Sequence, residues 1–471
     1  MTTFAMISLG CAKNLVNSEQ MLYLLDEAGY QLVAEADGAD FAVVNTCGFL
    51  DDAKTEAIDN IFELVELKNS GRLGKIIVTG CLSERYKDEI ADELPEVDAF
   101  LGVGSFSDIV AAVKACEASA DPSFCQQREM PAEVKEGGTP ENDVACIEWK
   151  TQCRQFMAFA DNSEAIDEIP RVISTGPGWA YLRIAEGCNN FCAFCAIPYI
   201  RGRYRSRKME NIVEEAKDLA AHGIKELIVI AQDITRYGTD LYGKRSLAEL
   251  CRRLSQIEGI EWIRLHYLYP DQFDDELIDE IAGNEKIVKY LDIPIQHIND
   301  GILKAMNRRG TGGEIRELLK KLRERIQGLV LRTSLIAGLP GETEKEFDEL
   351  CEFLREAKIE RAGVFPFSPE EGTPAAEMEY VDSEEARRRA DLIMRLQAPF
   401  MDEFCESFIG KTIKVLCEGL DEESGMYYGR SYADSPDIDG MVWFDGDCEP
   451  GAFAEVEINE TEDGYLYGTA V

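Results

Sequence analysis

The hydrophobic and polar positions over residues 1–115 alternate between short apolar runs and longer amphipathic stretches. The apolar runs are rich in β-branched residues and predict strands at Phe4–Leu9, Phe41–Asn45 and Lys75–Thr79. The amphipathic stretches predict helices at Asn17–Ala28, Asp51–Leu67 and Ser83–Leu94. Strands that alternate with helices in this way predict a doubly wound parallel α/β domain over residues 1–116.

The periodicity weakens over residues 117–178 and returns from residue 179. The weak stretch contains loop-like runs such as SADPSF and KEGGTPEND, and we interpret 117–178 as an acidic insertion or linker. Six further strands are predicted at Trp179–Ala185, Glu226–Ile230, Trp262–Tyr267, Tyr290–Ile293, Leu331–Ile336 and Ala362–Phe365. The helices between them are predicted at Asn211–His222, Leu247–Ile257, Asp274–Ala282, Ile315–Ile326 and Glu344–Ala357. Six β/α units predict a partial (β/α)6 barrel over 179–400, with its active site at the carboxyl ends of the strands.

The last part of the chain, 401–471, has a third pattern. A charged helix predicted at Glu384–Phe408 leads into short strands separated by turns. These strands are predicted at Thr412–Cys417, Met426–Ser431, Met441–Phe444, Ala454–Asn459 and Tyr465–Ala470. Five short strands of this kind predict a small OB-like β-barrel.

Cysteine is unusually frequent, with 15 among the 471 residues. The N-terminus lacks the basic and apolar segments of a signal peptide, and no apolar run is long enough to predict a membrane span. We therefore expect a cytoplasmic, reducing location in which the cysteines serve metal or redox chemistry rather than a disulfide framework.

The most specific motif is C-x3-C-x2-C, formed by Cys188, Cys192 and Cys195 after the first barrel strand. A zinc site would want a fourth ligand, and the three histidines of the chain are distant in sequence. A four-iron cluster bound by three thiolates keeps one iron open for chemistry. The motif therefore predicts an open iron–sulfur cluster at the mouth of the barrel.

A second set, Cys11, Cys47 and Cys81, is dispersed in sequence, but each member follows a predicted strand and has a glycine beside it. Because the carboxyl ends of parallel strands share one edge of a sheet, these cysteines are expected to be neighbours that hold a second cluster. The alternative is three buried structural thiols, since free cysteine is often buried. Four other cysteines have no tight metal spacing and are interpreted as structural, with a small extra metal site as the alternative: Cys116, Cys125, Cys146 and Cys153.

Charge sets limits on the partner. The chain has 49 basic and 89 acidic residues, a net charge of −40, and therefore repels phosphate backbones unless basic residues are concentrated somewhere. One basic segment exists, RGRYRSRK at 201–208, and it is either a loop that pairs with local acids or a site near an anionic substrate or cofactor carboxylate. Residues 405–471 carry sixteen acids and three basic residues. This charge either forms a solubilising surface or disfavours RNA and favours a basic protein as the partner.

The three-cysteine motif after the first strand of a partial barrel resembles the radical S-adenosylmethionine (SAM) superfamily. The N-terminal three-cysteine domain, the barrel and the terminal small barrel, which resembles a TRAM domain, together resemble the methylthiotransferase family within it. The resemblance covers the chain apart from roughly 121–165. One branch of that family modifies an aspartate of the small-subunit ribosomal protein uS12, and another modifies adenosine in transfer RNA. Similarity to the ribosomal branch lies in YLRIAEGC, CAIPYIRG, LHYLYPD, YLDIPIQHI, RTSLIAGLPGE and FPFSPEEGTPA.

The resemblance implies two [4Fe–4S] clusters. Cys188, Cys192 and Cys195 would hold the cluster that cleaves SAM, and Cys11, Cys47 and Cys81 the cluster that carries the sulfur group. SAM would supply both the methyl group and the radical that activates the β-carbon of the aspartate. Candidate SAM contacts are Gly338, Gly341, Glu342, Gln232 and Asp233. As a lone glycine-rich turn, AGLPGE is equally compatible with a plain strand-to-helix connection.

The implied partners are a basic small-subunit ribosomal protein, a low-potential electron donor and a sulfur donor, with no nucleic-acid substrate, no membrane and a monomeric enzyme. Two alternatives stay open at this point. The first is a transfer-RNA enzyme with the same chemistry, and the second is a non-catalytic iron–sulfur scaffold that binds ribosomal protein. Reductive SAM cleavage separates the scaffold from either enzyme, and the charge of the terminal barrel separates the two enzymes.

Overall fold

A computed structural model describes residues 1–118, 155–163 and 166–471. The chain forms two compact units, of which the first contains Met1–Ile173 and Ala196–Arg203, and the second contains Ser174–Cys195 and Tyr204–Val471. Cys125, Cys146, Cys153 and most of the predicted insertion lie outside the described residues.

The first unit is built on a parallel six-stranded sheet with the order β2-β1-β3-β4-β5-β6. Its strands are β1 (Thr3–Ser8), β2 (Gln31–Leu32), β3 (Phe41–Thr46), β4 (Lys75–Gly80), β5 (Ala99–Leu101) and β6 (Phe156–Ala158). Its helices are α1 (Ala12–Glu27), α2 (Asp51–Asn69), α3 (Cys81–Arg85), α4 (Ile90–Glu93), α5 (Ile109–Ala118) and α6 (Ile197–Ile200).

Both faces of this sheet are covered. Ala42 and Val44 of β3 face one apolar cluster, which includes residues of α2, and Phe41 and Val43 face another, which includes residues of α1 and α5. A strand buried on both faces reads as a continuous apolar run, as β3 does. The predicted doubly wound domain is confirmed by this arrangement.

The second unit contains a parallel six-stranded sheet whose strands run in chain order from β7 to β14, omitting a short hairpin. The strands are β7 (Trp179–Arg183), β10 (Glu226–Ile230), β11 (Trp262–Leu265), β12 (Ile287–Asp292), β13 (Val330–Ala337) and β14 (Arg361–Pro366), and the hairpin is β8 (Ala185–Glu186) with β9 (Arg205–Ser206). The helices are α7 (Met209–Ala221), α8 (Leu247–Ser255), α9 (Asp275–Gly283), α10 (Asp300–Ala305), α11 (Gly312–Arg325) and α12 (Glu344–Ala357). Because β7 and β14 pair with one strand each, the sheet is an open, partial barrel, as predicted.

Helix starts in this barrel follow from capping residues. Thr311 and Glu314 form a capping box at α11, and Thr343 and Glu346 form another at α12, so each pair satisfies two otherwise free backbone N–H groups. Asp274 caps α9 through the Leu277 backbone N–H at 2.9 Å. These caps fix where each helix leaves the strand end that precedes it.

The long helix α13 (Ser383–Glu406) precedes a closed β-barrel with the order β15-β16-β17-β19-β18. Its strands are β15 (Thr412–Leu420), β16 (Tyr427–Ser431), β17 (Val442–Asp445), β18 (Phe453–Glu462) and β19 (Tyr465–Ala470). This barrel packs on the open β/α sheet through buried ion pairs. Across this contact Glu226 lies 2.7 Å from Arg430, and Arg361 lies 2.6 Å from Asp434. Within the sheet, Glu226 also lies 2.7 Å from Arg264.

Several parts of the first unit differ from the predictions, and β2, β5 and α5 were not predicted. The helix predicted at Asn17–Ala28 begins five residues earlier, because the polar residues of its first turn are buried. The helix predicted at Ser83–Leu94 is interrupted between α3 and α4. In addition, β6 forms a strand in the part predicted to be an insertion or linker, where it pairs with β5.

Candidate active site

Cys11, Cys47 and Cys81 follow the carboxyl ends of β1, β3 and β4, which are adjacent strands. The strand order reverses between β1 and β3, because β2 lies on the far side of β1. Ligands of doubly wound sheets bind at the carboxyl ends of strands beside such a reversal. The structure therefore brings together three cysteines that are 36 and 34 residues apart in sequence.

Glycines beside these cysteines allow the three loops to approach one another. A Cβ atom at Gly48 would lie 2.7 Å from the backbone carbon of Cys81, and one at Gly10 would lie 2.9 Å from the Cys47 Cβ. Gly80 has a φ of +101° and faces the Thr46 backbone, so it needs both space and a left-handed conformation. The glycines predicted from the sequence as neighbours of the cysteines are thus required by close packing.

Asn14, in the first turn of α1, links the strand ends of this site. Its Nδ2 donates hydrogen bonds to the Leu9 carbonyl at 3.1 Å and the Thr46 carbonyl at 2.8 Å. Its Oδ1 accepts from the Cys81 thiol at 3.7 Å and from the Arg201 guanidinium. Sequence reasoning missed Asn14 and singled out Arg201 only as part of the basic segment 201–208; the polar turn after Cys11 was the available signal for Asn14.

The protonation of the three thiols differs because their surroundings differ. Burial raises the pKa of Cys81 to about 11 and also raises that of Cys47, although Arg201 opposes both shifts. Burial acts in the same direction on Cys11, but nearby Lys13 and Arg201 outweigh it and lower its pKa. Metal binding requires thiolates, so the cations favour the form that binds iron.

Cys188, Cys192 and Cys195 lie in the loop after β8, in the second unit. The Cys195 backbone N–H donates to the Cys192 carbonyl at 3.0 Å, and the Asn190 N–H lies 3.4 Å from the Cys188 sulfur. Burial raises the pKa of Cys188 to about 11. The loop thus presents its sulfurs in a partly enclosed site and holds their positions with backbone hydrogen bonds.

Other polar side chains fix the shape of this loop. Asn307 donates to the Phe191 carbonyl at 2.7 Å and supports the φ of +50° at Phe191, which an L-residue adopts only under constraint. The Arg308 guanidinium lies 3.6 Å from the Cys192 sulfur and 4.3 Å from the centre of the Tyr269 ring. Neither Asn307 nor Arg308 was predicted, because both are more than a hundred residues from the motif.

Both cysteine sets fit a four-iron cluster by their donor chemistry. Within the described residues, no three His, Cys, Asp or Glu side chains are placed so that they could bind one metal ion together. A four-iron cluster does not need such a single-metal site, because each of its three thiolates binds a different iron. The three histidines have other partners in the second unit: His222 with the Asp218 carbonyl, His266 with Ser435, and His297 with Glu342.

The predicted SAM contacts Gln232 and Asp233 lie at the carboxyl end of β10. Gln232 donates to Glu186 at 2.7 Å. Asp233 is fully buried and accepts from Asn190 at 2.9 Å and from Arg236 at 3.0 Å. Burial raises the pKa of Asp233 despite these donors. The geometry therefore gives Asp233 a direct role in holding the Cys188 loop.

Gly338, Gly341 and Glu342 form the turn between β13 and α12. The Glu342 carboxylate accepts from the Gly338 N–H at 2.9 Å and from Arg389 at 2.8 Å, and it lies 3.2 Å from His297. A Cβ at Gly338 would lie 2.7 Å from that of Ala386 on α13. These contacts account for the glycine and the glutamate of this turn by packing and hydrogen bonding alone. The role of the turn in SAM binding stays a prediction.

The basic segment 201–208 is partly buried. Arg207 forms an ion pair with Glu215 at 2.6 Å and donates to the Arg183 carbonyl. Arg201 is buried in the first unit, whereas Arg203 and Lys208 are exposed. The segment is therefore not a continuous cationic surface, and the local-pairing interpretation fits Arg207.

Family models match three parts of the chain, namely the Uncharacterized protein family UPF0004 over 3–102, the Radical SAM superfamily over 182–354 and the TRAM domain over 409–471. A solved structure with a similar fold is the radical SAM methyltransferase TsrM from Kitasatospora setae, which contains cobalamin and a [4Fe–4S] cluster. Its TM-score is 0.54 at 15% identity, covering 80% of this chain and 74% of TsrM. The SAM radical enzyme OxsB has a TM-score of 0.51 at 13% identity, over 86% of this chain and 56% of OxsB. The fold and the cysteine loop thus define a radical SAM protein.

Closer relatives carry the name ribosomal protein uS12 methylthiotransferase RimO. That of Acetivibrio thermocellus is 47% identical over 99% of this chain and 97% of the relative. That of Caldanaerobacter subterraneus subsp. tengcongensis is 46% identical over 99% of this chain and 100% of the relative. The chain belongs to the RimO family of radical SAM methylthiotransferases, and the prediction of the ribosomal branch over the transfer-RNA branch is confirmed. Every helix in the described residues is too short or too polar to cross a lipid bilayer.

Proposed function

We propose that this protein adds a methylthio group to the β-carbon of an aspartate in ribosomal protein uS12. The observation that carries the proposal is the presence of two three-cysteine sets, each at the carboxyl edge of a parallel sheet. Similarity to RimO relatives along nearly the whole chain supports the same activity.

Each set has residues suited to one [4Fe–4S] cluster. Cys188, Cys192 and Cys195 would hold the first, with Arg308 close to the Cys192 sulfur. Cys11, Cys47 and Cys81 would hold the second. When bound, the clusters and SAM would supply a carbon-activating radical and the sulfur group to be transferred. The β-carbon of an aspartate has no proton acidic enough for a side-chain base to remove, so radical chemistry suits this substrate.

The charge of the small barrel supports a protein substrate. Residues 405–471 have a net charge of −13, which would repel transfer RNA and attract a Lys- and Arg-rich ribosomal protein. A low-potential electron donor and a sulfur donor complete the proposed set of partners, acting on a monomeric enzyme. Methylthiolation of adenosine in transfer RNA, with uS12 left unmodified, would contradict this assignment.

Mass spectrometry of uS12 after anaerobic reaction with reconstituted enzyme, SAM and reductant tests the function. Cys47→Ala should spare reductive cleavage of SAM to 5′-deoxyadenosine and abolish methylthiolation, whereas Cys192→Ala should abolish both. Cys116→Ala is the control, because Cys116 is a buried thiol of the first unit on α5, away from the strand ends. Methylthiolated uS12 from the Cys47→Ala variant would remove the N-terminal cysteines from the mechanism.

Iron analysis tests the number of clusters separately. Two [4Fe–4S] clusters correspond to roughly eight irons per chain. Replacing Cys188, Cys192 and Cys195 together by Ala should halve the iron and sulfide content, and replacing Cys11, Cys47 and Cys81 should do the same. Unchanged iron in either triple variant would show that those cysteines are not ligands.

A further inference from the structure

Arg201 is a buried cation at the cysteine site of the first unit. Its residue is 1% exposed, and it is among the largest fully buried side chains of the described residues. Its guanidinium donates to the Asn14 Oδ1, which also accepts from the Cys81 thiol at 3.7 Å. A buried guanidinium is costly unless negative charge faces it, and three thiolates would provide that charge.

The segment that contains Arg201 is a wall of the same site. Ala196 and Ile200 pack with Cys81 in one small apolar cluster. Asn162 donates to the Ile200 carbonyl at 2.8 Å and holds the end of α6. In sequence, Ala196 directly follows Cys195, the last cysteine of the C-x3-C-x2-C motif. The chain therefore places Arg201, a cation at the N-terminal cysteine site, only six residues after Cys195 of the C-x3-C-x2-C motif.

We propose that Arg201, anchored by Asn14, is a positioning residue for the group that Cys11, Cys47 and Cys81 hold. Its charge stabilises the anionic, thiolate-bound cluster, and its hydrogen bond to Asn14 fixes the side of the site formed by Ala196 and Ile200. The proposal rests on the proposed function, because it requires the N-terminal cysteines to hold an iron–sulfur cluster. Charge and hydrogen bonds to sulfur are the means by which a protein sets the reduction potential of such a cluster.

The test uses full-length protein with Cys188, Cys192 and Cys195 replaced by Ala, so that only the N-terminal cluster is observed. Adding Arg201→Gln removes the cation, so the reduced cluster should lose about tenfold in relative stability. For a one-electron couple this is a shift of about 59 mV to more negative potential, measured by a redox titration followed by EPR. Arg201→Lys keeps the charge and should restore most of the potential. Arg203→Gln, at an exposed arginine two residues away, should leave it unchanged.

A second measurement keeps the native Arg201. Protein containing ¹⁵N-labelled arginine in the same three-cysteine background should show a ¹⁵N coupling to the reduced cluster in pulsed EPR. A missing coupling, or a wild-type potential in the Arg201→Gln variant, would overturn the proposal. If that background binds no cluster at all, the two-cluster function fails together with this proposal. A bound cluster whose reduction potential does not change in the Arg201→Gln variant overturns this proposal and leaves the two-cluster function standing.

Discussion

Buried polar side chains surround both cysteine sets. Asn14 and Arg201 are each 1% exposed beside the N-terminal thiols, and Asp233 is fully buried behind the Cys188 loop. Burying such groups costs free energy unless each finds a partner, and here most of the partners are loop backbone, other polar side chains or thiols. This pattern indicates that polar contacts within the protein fix the surroundings of the thiols.

The Asp233 carboxylate provides a test of that organisation. Asp233→Ala removes the acceptor for Asn190 and Arg236, so we expect a stability loss of about 1–3 kcal/mol and weaker iron retention at Cys188. Iron should be measured with Cys11, Cys47 and Cys81 replaced by Ala, and SAM cleavage in the intact enzyme. Asp218→Ala, at an exposed carboxylate on α7, is the control. A raised KM for SAM with unchanged iron would instead support Asp233 as a SAM contact.

Gly48 tests the close approach of the N-terminal loops. Gly48→Ala places a Cβ 2.7 Å from the Cys81 backbone, so the two loops must separate. Overpacking of this kind costs about 1–3 kcal/mol, and we expect loss of the N-terminal iron with SAM cleavage retained. Gly283→Ala is the matched control, because no atom lies within 4 Å of its added Cβ. Full iron content in Gly48→Ala would show that the loops tolerate separation.

At the scale of elements, most strands could be predicted closely, including β1, β3 and β4 before the N-terminal cysteines, whereas the start of α1 and the short strand β6 could not. The predicted strands Glu226–Ile230 and Tyr465–Ala470 match the observed bounds, because their apolar patterns are local. The start of α1 was missed because its first turn is polar and yet buried against the cysteine site. The three-residue strand β6 owes its existence to pairing with β5, more than fifty residues earlier.

The same reasoning applies to the site. The positions of the six cysteines after strands could be predicted, since the spacing and the apolar runs are visible in sequence, and their role as cluster ligands stays a prediction. The hydrogen bond between Arg201 and Asn14 could not be predicted, because 187 residues separate the two in sequence. The predicted domain bounds of 1–116, 117–178, 179–400 and 401–471 also assume that domains are continuous, whereas Ala196–Arg203 belongs to the first compact unit.

The buried ion pairs of Glu226, where the two barrels meet, make a prediction about pH. Burial would raise the pKa of Glu226, but Arg264 and Arg430 outweigh it and hold the pKa below its ordinary value of 4.5. A depressed pKa in the folded state stabilises the fold above the unfolded pKa, and this contribution is lost as the pH falls through the folded value. The ion pairs of Glu226 should therefore stabilise the protein fully at neutral pH and progressively less below about pH 4.5.

Glu226→Gln should lower stability by about 3–5 kcal/mol at neutral pH, because it leaves Arg264 and Arg430 buried without their carboxylate. Thermal unfolding of variant and wild type across pH should show a constant difference above about pH 4.5 and a shrinking one below it. Glu249→Gln, at a partly exposed ion pair with Arg253, should change little. An equal difference at all pH values would contradict the electrostatic explanation.

At the scale of the whole molecule, negative charge is concentrated on the outer surface of the small barrel. Along β18, exposed Glu455 and Glu457 alternate with buried Val456 and Ile458. No ion pair is found for these glutamates among the described residues. Asp434 and Asp439 of the same barrel are buried instead, near Arg361, and contribute to packing rather than to the surface. The surface available to a basic partner is therefore narrower than the net charge of −13 suggests.

Neutralising that surface should slow association with uS12. The variant replaces four exposed acids by their amides: Asp445, Asp447, Glu455 and Glu457. Long-range attraction between the barrel and a basic protein is screened over about 8 Å at physiological ionic strength, so the association rate should fall and its salt dependence should flatten. Stopped-flow binding at several salt concentrations measures both quantities.

A matched control separates local charge from net charge. It neutralises four exposed acids of the β/α barrel instead: Glu214, Asp218, Glu258 and Glu352. Both variants change the net charge equally. The small-barrel variant should therefore associate with uS12 more slowly than the β/α-barrel variant only if the small barrel has a docking role. SAM cleavage without substrate should be unchanged in both, because the acids lie on outer surfaces and not in the cysteine loop. Equal association rates for the two variants would mean that the small barrel does not direct uS12, and the partner surface would then have to lie elsewhere on the chain.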